Sequence, residues 1–291
     1  MIFTSLSFHV RGQALQSDYF LSEGINLHYV TAGVGEPLIL IHGFSDNLKV
    51  CFQDTLPGVG SSFISRLSEN YQIIALDVRG HGNSDKPTES TQYGKMLEED
   101  VIRLMDHLGL EKAHILGYSM GAFITGNLVV DHPERLISAT LVGGSHLTKS
   151  QYSSENDLIK LLDDTSEDLK NGKGISSLLK WFWPEAQPEP SDKDIAQINQ
   201  EILTGQNIRA LEICVTSLKE LCLVDGEKLK QTHIPVTLIN GTDDPLTQYI
   251  FPFQNLRKGS SISIEGANHM DILMFPECLE AIEKSLVLMS L

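Results

Sequence analysis

An α/β protein with a mostly parallel sheet, helices on both faces and one inserted helical block is the fold class this sequence predicts. Three observations lead there. Short continuous apolar runs alternate with stretches whose apolar residues recur every three or four positions. Strand-like segments stop near residue 145, and helical periodicity takes over until about 230. Strand rhythm then resumes ahead of a closing helix. The expected organisation is a core of 1–144 and 231–291 with a helical cap inserted at 145–230.

In chain order, "MIFTSLSFHV" lacks the basic start of a secretory leader and soon meets Arg11 and Asp18, so it reads as a disordered or strand-like N-terminus. "INLHYVTAG" alternates apolar and polar positions like a half-exposed antiparallel strand, whereas "EPLILIHG" and "YQIIALDV" are apolar throughout, as strands buried on both faces are. The sheet therefore starts antiparallel and turns parallel. Leu97, Val101, Leu104, Met105 and Leu108 mark a helix over "MLEEDVIRLMDHLGL", with a glycine after its last turn. "KAHILGYS" reads as a strand, "MGAFITGNLVVDHPERL" as a helix and "ISATLVGG" as a strand again. The insertion shows helical periodicity, a Pro-rich break at "FWPEAQPEPSD" and no strand. "IPVTLINGTDD" and "SSISIEGANH" then read as strands, and "MDILMFPECLEAIEKSLVLMSL" closes as a helix with a Pro-Glu start near its middle.

Composition narrows the function classes. With 291 residues, 41% hydrophobic and 21% charged, the chain has the make-up of a soluble globular protein with a sizeable core. Its net charge of -16 repels phosphate backbones and anionic headgroups, so neither nucleic acid nor a membrane is expected as partner. No apolar stretch approaches the ~20 residues of a bilayer span. Cys51, Cys214, Cys222 and Cys278 have neither zinc-site spacing nor the density of a disulfide scaffold. A shared helix would hold Cys214 and Cys222 roughly 12 Å apart, too far to bridge. Reduced thiols in a cytoplasm are the expectation, and nothing in the sequence sets the oligomeric state.

The chemistry starts at "LGYSMGAF". Gly117, Tyr118, Ser119, Met120 and Gly121 form G-x-S-x-G between a strand and a helix, the context of a nucleophile elbow. A sharp turn there strains Ser119 and crowds the positions two before and two after it, so only very small side chains fit. It also lifts the hydroxyl clear of the sheet at a helix N-terminus, where a backbone N–H and the helix dipole can face an oxyanion. A serine hydroxyl needs an imidazole to take its proton, and the imidazole needs a carboxylate to fix its tautomer. Two later strand ends offer both. "IEGANHM" supplies His269, and "LINGTDDPLT" supplies adjacent carboxylates, of which Asp244 is preferred over Asp243 because Gly241 allows a turn ahead of it. "LIHGFSDN" follows a buried strand, so the Phe44 N–H can meet the Met120 N–H at one oxyanion.

"HGFSDN", "DVRGHGNSD", "GYSMGA", "GTDDP" and "GANHM", in that order, resemble the α/β-hydrolase fold superfamily from about residue 25 to the C-terminus. The resemblance implies an eight-stranded, mostly parallel sheet with a cap after the sixth strand. It also implies a structural turn rather than catalysis for Asp77, Arg79 and Asp85. Among the branches, the chain is similar to capped esterases, enol-lactonases and carbon-carbon bond hydrolases. Ser119 argues against dehalogenase and epoxide hydrolase branches with an Asp nucleophile, and Tyr118 departs from the Asn usual before the serine in carbon-carbon hydrolases.

The expected function is a serine hydrolase cleaving a carboxylic ester of a small, partly apolar substrate through an acyl-enzyme on Ser119, His269 and Asp244. No metal or organic cofactor is required. Tyr118, Trp181 and Trp183 are candidate substrate contacts. The alternatives are a lactone or carbon-carbon bond hydrolase, or a ligand-binding receptor on a hydrolase scaffold.

Overall fold

The computed structural model describes residues 15–55, 60–144, 146–184, 187–254 and 256–289; the N-terminal "MIFTSLSFHV" lies outside them. The strands are β1 (Gln16–Ser22), β2 (Ile25–Ala32), β3 (Glu36–Ile41), β4 (Tyr71–Leu76), β5 (Ala113–Tyr118), β6 (Leu136–Val142), β7 (Leu147–Thr148), β8 (Leu223–Val224), β9 (Val236–Gly241) and β10 (Gly259–Ile264). The α-helices are α1 (Phe63–Leu67), α2 (Met96–His107), α3 (Met120–Asp131), α4 (Asp157–Lys170), α5 (Ser176–Trp181), α6 (Asp192–Leu203), α7 (Ile208–Leu221), α8 (Gly226–Gln231), α9 (Phe251–Gln254) and α10 (Pro276–Met289).

Eight strands form one sheet in the order β1-β2-β4-β3-β5-β6-β9-β10. β2 runs antiparallel to both its neighbours, and every other pair is parallel. The fully apolar runs take the centre: all six residues of β5 are buried, as are the last four of β3. Helices cover both faces, giving two apolar clusters. One holds Leu104 and Met105 of α2, Ile124 and Leu128 of α3, and Leu211 and Val215 of α7. The other holds Phe63 and Leu67 of α1 with Leu279 and Ile282 of α10.

Parallel pairing brings the carboxyl ends of the strands to one edge. Ile41 lies opposite Gly117, Val142 opposite Ile239, and Ile264 opposite Gly241. The loops after β3, β5, β6, β9 and β10 therefore share that edge, where sites of α/β sheets form.

Between β6 and β9 the chain is mainly helical, yet β7 and β8 also pair there in parallel, Leu147 with Leu223 and Thr148 with Val224. This corrects the strand-free expectation. Two-residue strands leave no periodicity to detect, and their pairing ties together the two ends of the helical stretch. That stretch extends through α8 to Gln231. Asn127 of α3 donates its amide to the Leu221 carbonyl at 2.6 Å, fastening the stretch to the core.

Two elements differ from their sequence reading. β2 has the expected antiparallel sense but is not half exposed, because Leu27 to Val30 are all buried. Its polar His28 goes inside by meeting Asp77 at 2.8 Å and Ser17 at 2.9 Å. α3 stops at Asp131, and Pro133–Arg135 forms a separate single turn. α10 begins at Pro276, the Pro-Glu start that the sequence suggests. The residues ahead of it form a loop and a short 3₁₀ turn, Ile272–Met274.

Candidate active site

Ser119 sits where β5 hands over to α3, with φ 54° and ψ -114°, a backbone conformation costly for a residue with a side chain. Tight packing holds it there. A Cβ on Gly117 would lie 2.0 Å from the Gly121 carbonyl oxygen, and one on Gly121 would lie 2.1 Å from that of Ile41. No larger residue fits at either position. Met120 opens α3, so its N–H has no partner within the helix.

His269 arrives on the loop after β10 and is buried. Its Nε2 is 2.8 Å from Ser119 Oγ, and its Nδ1 is 2.9 Å from Asp244 Oδ2. Facing a carboxylate, Nδ1 carries the proton and leaves Nε2 free to accept one from serine. Asp244 is itself buried, and its Oδ1 accepts the Leu246 N–H at 2.8 Å. Asp243 points outward and interacts with the Thr242 hydroxyl, while its N–H donates to the Ala267 carbonyl at 3.0 Å. That bond joins the acid loop to the histidine loop. The latter is braced again by Asn268, whose N–H donates to Asp271 at 2.8 Å and whose side-chain oxygen accepts the Met270 N–H at 2.7 Å.

The third component is the loop after β3. Val78 N–H donates to His42 Nε2 at 3.0 Å, so the His42 proton is on Nδ1, which donates to the Gly43 carbonyl at 2.7 Å. In a trans peptide C=O and N–H point opposite ways. Holding the Gly43 carbonyl against His42 thus turns the Phe44 N–H away from it. Gly43 packs on the nucleophile turn, where a Cβ would lie 3.3 Å from that of Ser119.

The "DVRGHGNSD" segment supports this loop from below. Asp77 Oδ1 accepts the Leu48 N–H at 2.9 Å and Oδ2 accepts the Asn83 N–H at 2.9 Å. Although burial opposes it, the His28 contact and these bonds hold the Asp77 carboxyl below its usual range. Arg79 grips Asp100 with two bonds of 2.6 and 2.5 Å, and Asp85 accepts the Asn26 N–H at 2.8 Å. Buried His81 packs edge-on against both His42 and Phe44. Burial, with His42 close by, pushes its imidazole down to about 3, so it stays neutral.

A cavity of about 460 Å³ opens over Ser119, lined by Phe44, Tyr118, Leu178, Phe182, His269 and Met270 among others. Trp181 and Trp183 are not in its lining. They border a second cavity together with Thr242, Asp243 and Asp244. The side chain between them does reach the site: Phe182 stacks on the His269 ring with centroids 3.9 Å apart and planes 11° from parallel. Tyr118 stacks on the same ring at 5.8 Å and donates its hydroxyl to the His269 carbonyl at 2.8 Å. Phe182 belongs to the aromatic run "WFW" in which the sequence offers pocket residues, whereas the roles of His42 and Gly143 escaped the sequence reading. Gly143 has φ 56°, and a Cβ on it would come within 3.1 Å of His269. The "VGG" after β6 was the available signal for it.

Among the described residues one group of metal-ligand type exists, Glu98, Glu99 and His132, far along α3 from Ser119. Lys95 already brings a cation 3.3 Å from Glu98.

Comparison with known proteins adds three findings. The sequence model of a family described as alpha/beta hydrolase fold matches residues 36–275. The (E)-2-((N-methylformamido)methylene)succinate hydrolase of Acinetobacter baylyi is 25% identical over 261 residues, spanning 88% of this chain and 92% of its own. Among solved structures, a carboxylesterase study from Nitrososphaera gargenis superposes with a TM-score of 0.74 at 19% identity, over 94% of this chain and 99% of that one. The enol-lactonase of Burkholderia xenovorans gives 0.71 at 18% identity, again over 94% and 99%.

Proposed function

Because the chain belongs to the alpha/beta hydrolase fold family, we propose that it is a serine hydrolase that cleaves carboxylic esters through an acyl-enzyme. The observation that supports this reading best is the unbroken line of hydrogen bonds from Ser119 Oγ through His269 to Asp244, 2.8 and 2.9 Å long, at the floor of a cavity.

His269 Nε2 takes the hydroxyl proton as Ser119 Oγ attacks the ester carbonyl, and Asp244 stabilises the imidazolium that results. The Phe44 and Met120 N–H groups receive the negative charge on the carbonyl oxygen. His269 then gives its proton to the departing alcohol, leaving an acyl group on Ser119. Water, deprotonated by the same nitrogen, attacks the acyl carbon, and collapse of the second tetrahedral intermediate frees the acid and restores the serine. The helices between β6 and β9 act as a cap that bounds the cavity through Leu178, Phe182 and Ile202. A lactone is a cyclic ester and would follow the same steps, which is the second reading that the enol-lactonase neighbour favours.

The test is turnover of p-nitrophenyl alkanoates. Wild type should release nitrophenol over many cycles, with Ser119→Ala and His269→Ala each slower by ~10³ or more at unchanged circular dichroism. Substantial activity in Ser119→Ala would defeat the assignment.

A further inference from the structure

The cavity over Ser119 has a definite electrical character. Its lining includes two carboxylic acids, Asp46 and Glu201, of which burial raises the Asp46 carboxyl above its ordinary value. Among the described residues no Lys or Arg lines it, and neither acid takes part in an ion pair. Glu201 instead accepts the Gln197 amide at 3.1 Å, and Asp46 accepts the Cys51 thiol at 3.1 Å. Asp46 lies two residues beyond Phe44, so its carboxyl stands beside the loop that faces the reacting carbonyl.

Beside the neutral polar Ser45, Asn47, Thr204 and Gln206, the lining carries a set of apolar side chains. Leu178, Phe182 and Ile202 come from the helical stretch, and Val50, Met270 and Met274 from the rim. Those three rim residues are exposed by 54%, 39% and 51% and border one opening, and apolar surface gathered at one place is the kind a ligand covers. A substrate arm lying along them would do so.

Building on the ester-hydrolase reading, we propose that this site selects neutral or cationic esters with an apolar arm and rejects those whose acyl or alcohol portion is anionic. A second carboxylate brought into the cavity would face two acids, the half-buried Asp46 and the exposed Glu201, whereas an alkyl chain gains from burial and an ammonium gains from both acids. The protein's net charge of -16 acts in the same direction at longer range, slowing the approach of anions. The Acinetobacter relative acts on a succinate, a dicarboxylate, so the two enzymes divide by charge although they share a fold.

The experiment compares kcat/KM for p-nitrophenyl hexanoate, its ω-carboxylate and its ω-trimethylammonium counterpart. The carboxylate should be poorer than the neutral ester by about tenfold or more, and the trimethylammonium ester should at least equal the neutral one. Glu201→Lys, at an exposed position, and Asp46→Asn should each raise the ratio of carboxylate to neutral turnover at least about fivefold, at high salt as well as low, because the contact is local. Equal values across the series, or a ratio unmoved in both variants whose melting shows them folded, overturn the charge selection and leave the ester reading intact. Failure to hydrolyse any of the three overturns the ester reading itself.

Discussion

Two adjacent carboxylates with opposite surroundings give the sharpest test at the scale of single residues. Asp244 is buried with one oxygen on His269 and the other on a backbone N–H, while Asp243 is exposed. Asp244→Asn should therefore lower kcat by orders of magnitude, on the scale of ~10⁴ known from serine proteases, because an amide cannot stabilise the imidazolium and permits the wrong tautomer. Asp243→Asn should stay near wild type. Steady-state kinetics of the pair decide it, and the reverse ranking would move the acid to Asp243. Ser119, His269 and Asp244 were legible in the sequence because each follows a recognisable apolar run with a glycine close by. Which of Trp181, Phe182 and Trp183 reaches the site was not, since three aromatic side chains in succession share one apolar character. Only the way the chain leaves α5 after Trp181 decides which of them turns onto the imidazole. His42 was equally hidden, because its part is played by a hydrogen bond to a neighbouring carbonyl that no residue pattern encodes.

At the scale of elements, strands were easier to read than their burial. β3, β5 and β9 follow from apolar runs, but β2 carried polar residues that suggested a wet face, and buried pairing of His28 with Asp77 made it dry. α2 contains a comparable case. Its Glu98 is 2% exposed and one carboxylate oxygen has no hydrogen-bond partner, so burial lifts the carboxyl to about 7 in spite of Lys95. In the unfolded chain the group loses its proton near its ordinary value, so between about pH 4.5 and 7 the native state holds more protons and stability falls as pH rises. Glu98→Gln should remove that loss, with a gain relative to wild type that grows across this window to about 1–2 kcal/mol and is level above it. Urea unfolding at several pH values measures the difference, and a gain independent of pH would refute the explanation.

For the whole molecule, the opposite slope comes from buried imidazoles. His146, packed against Phe123 and Phe253 with Nε2 donating to the Phe123 carbonyl, is pushed by burial down to about 4, and His81 to about 3. Below their ordinary value of 6.5 the unfolded chain takes up protons that the native state refuses. Stability contributed by these groups is complete above that pH and is lost as pH falls toward 4 for His146 and 3 for His81. The expected acid limb is on the order of 3 kcal/mol for His146 alone. His146→Gln, which keeps a donor for the Phe123 carbonyl, should make that limb shallower in unfolding curves recorded by circular dichroism. An unchanged limb would place the acid sensitivity elsewhere. Between about pH 4.5 and 6.5 the two effects oppose each other, and the two histidines outweigh the single Glu98, so these groups together still make stability rise with pH there.

The stacking of Phe182 on His269 has an optical side. The chain has only two tryptophans, and both flank that phenylalanine, Trp181 touching its ring edge-on at 4.9 Å. All of the protein's indole emission thus originates at the two neighbours of the phenylalanine that stacks on the imidazole. A change in that segment's position reaches the fluorescence spectrum without any attached dye, while events elsewhere in the sheet stay dark. The protein carries its own lamp beside its reacting atoms.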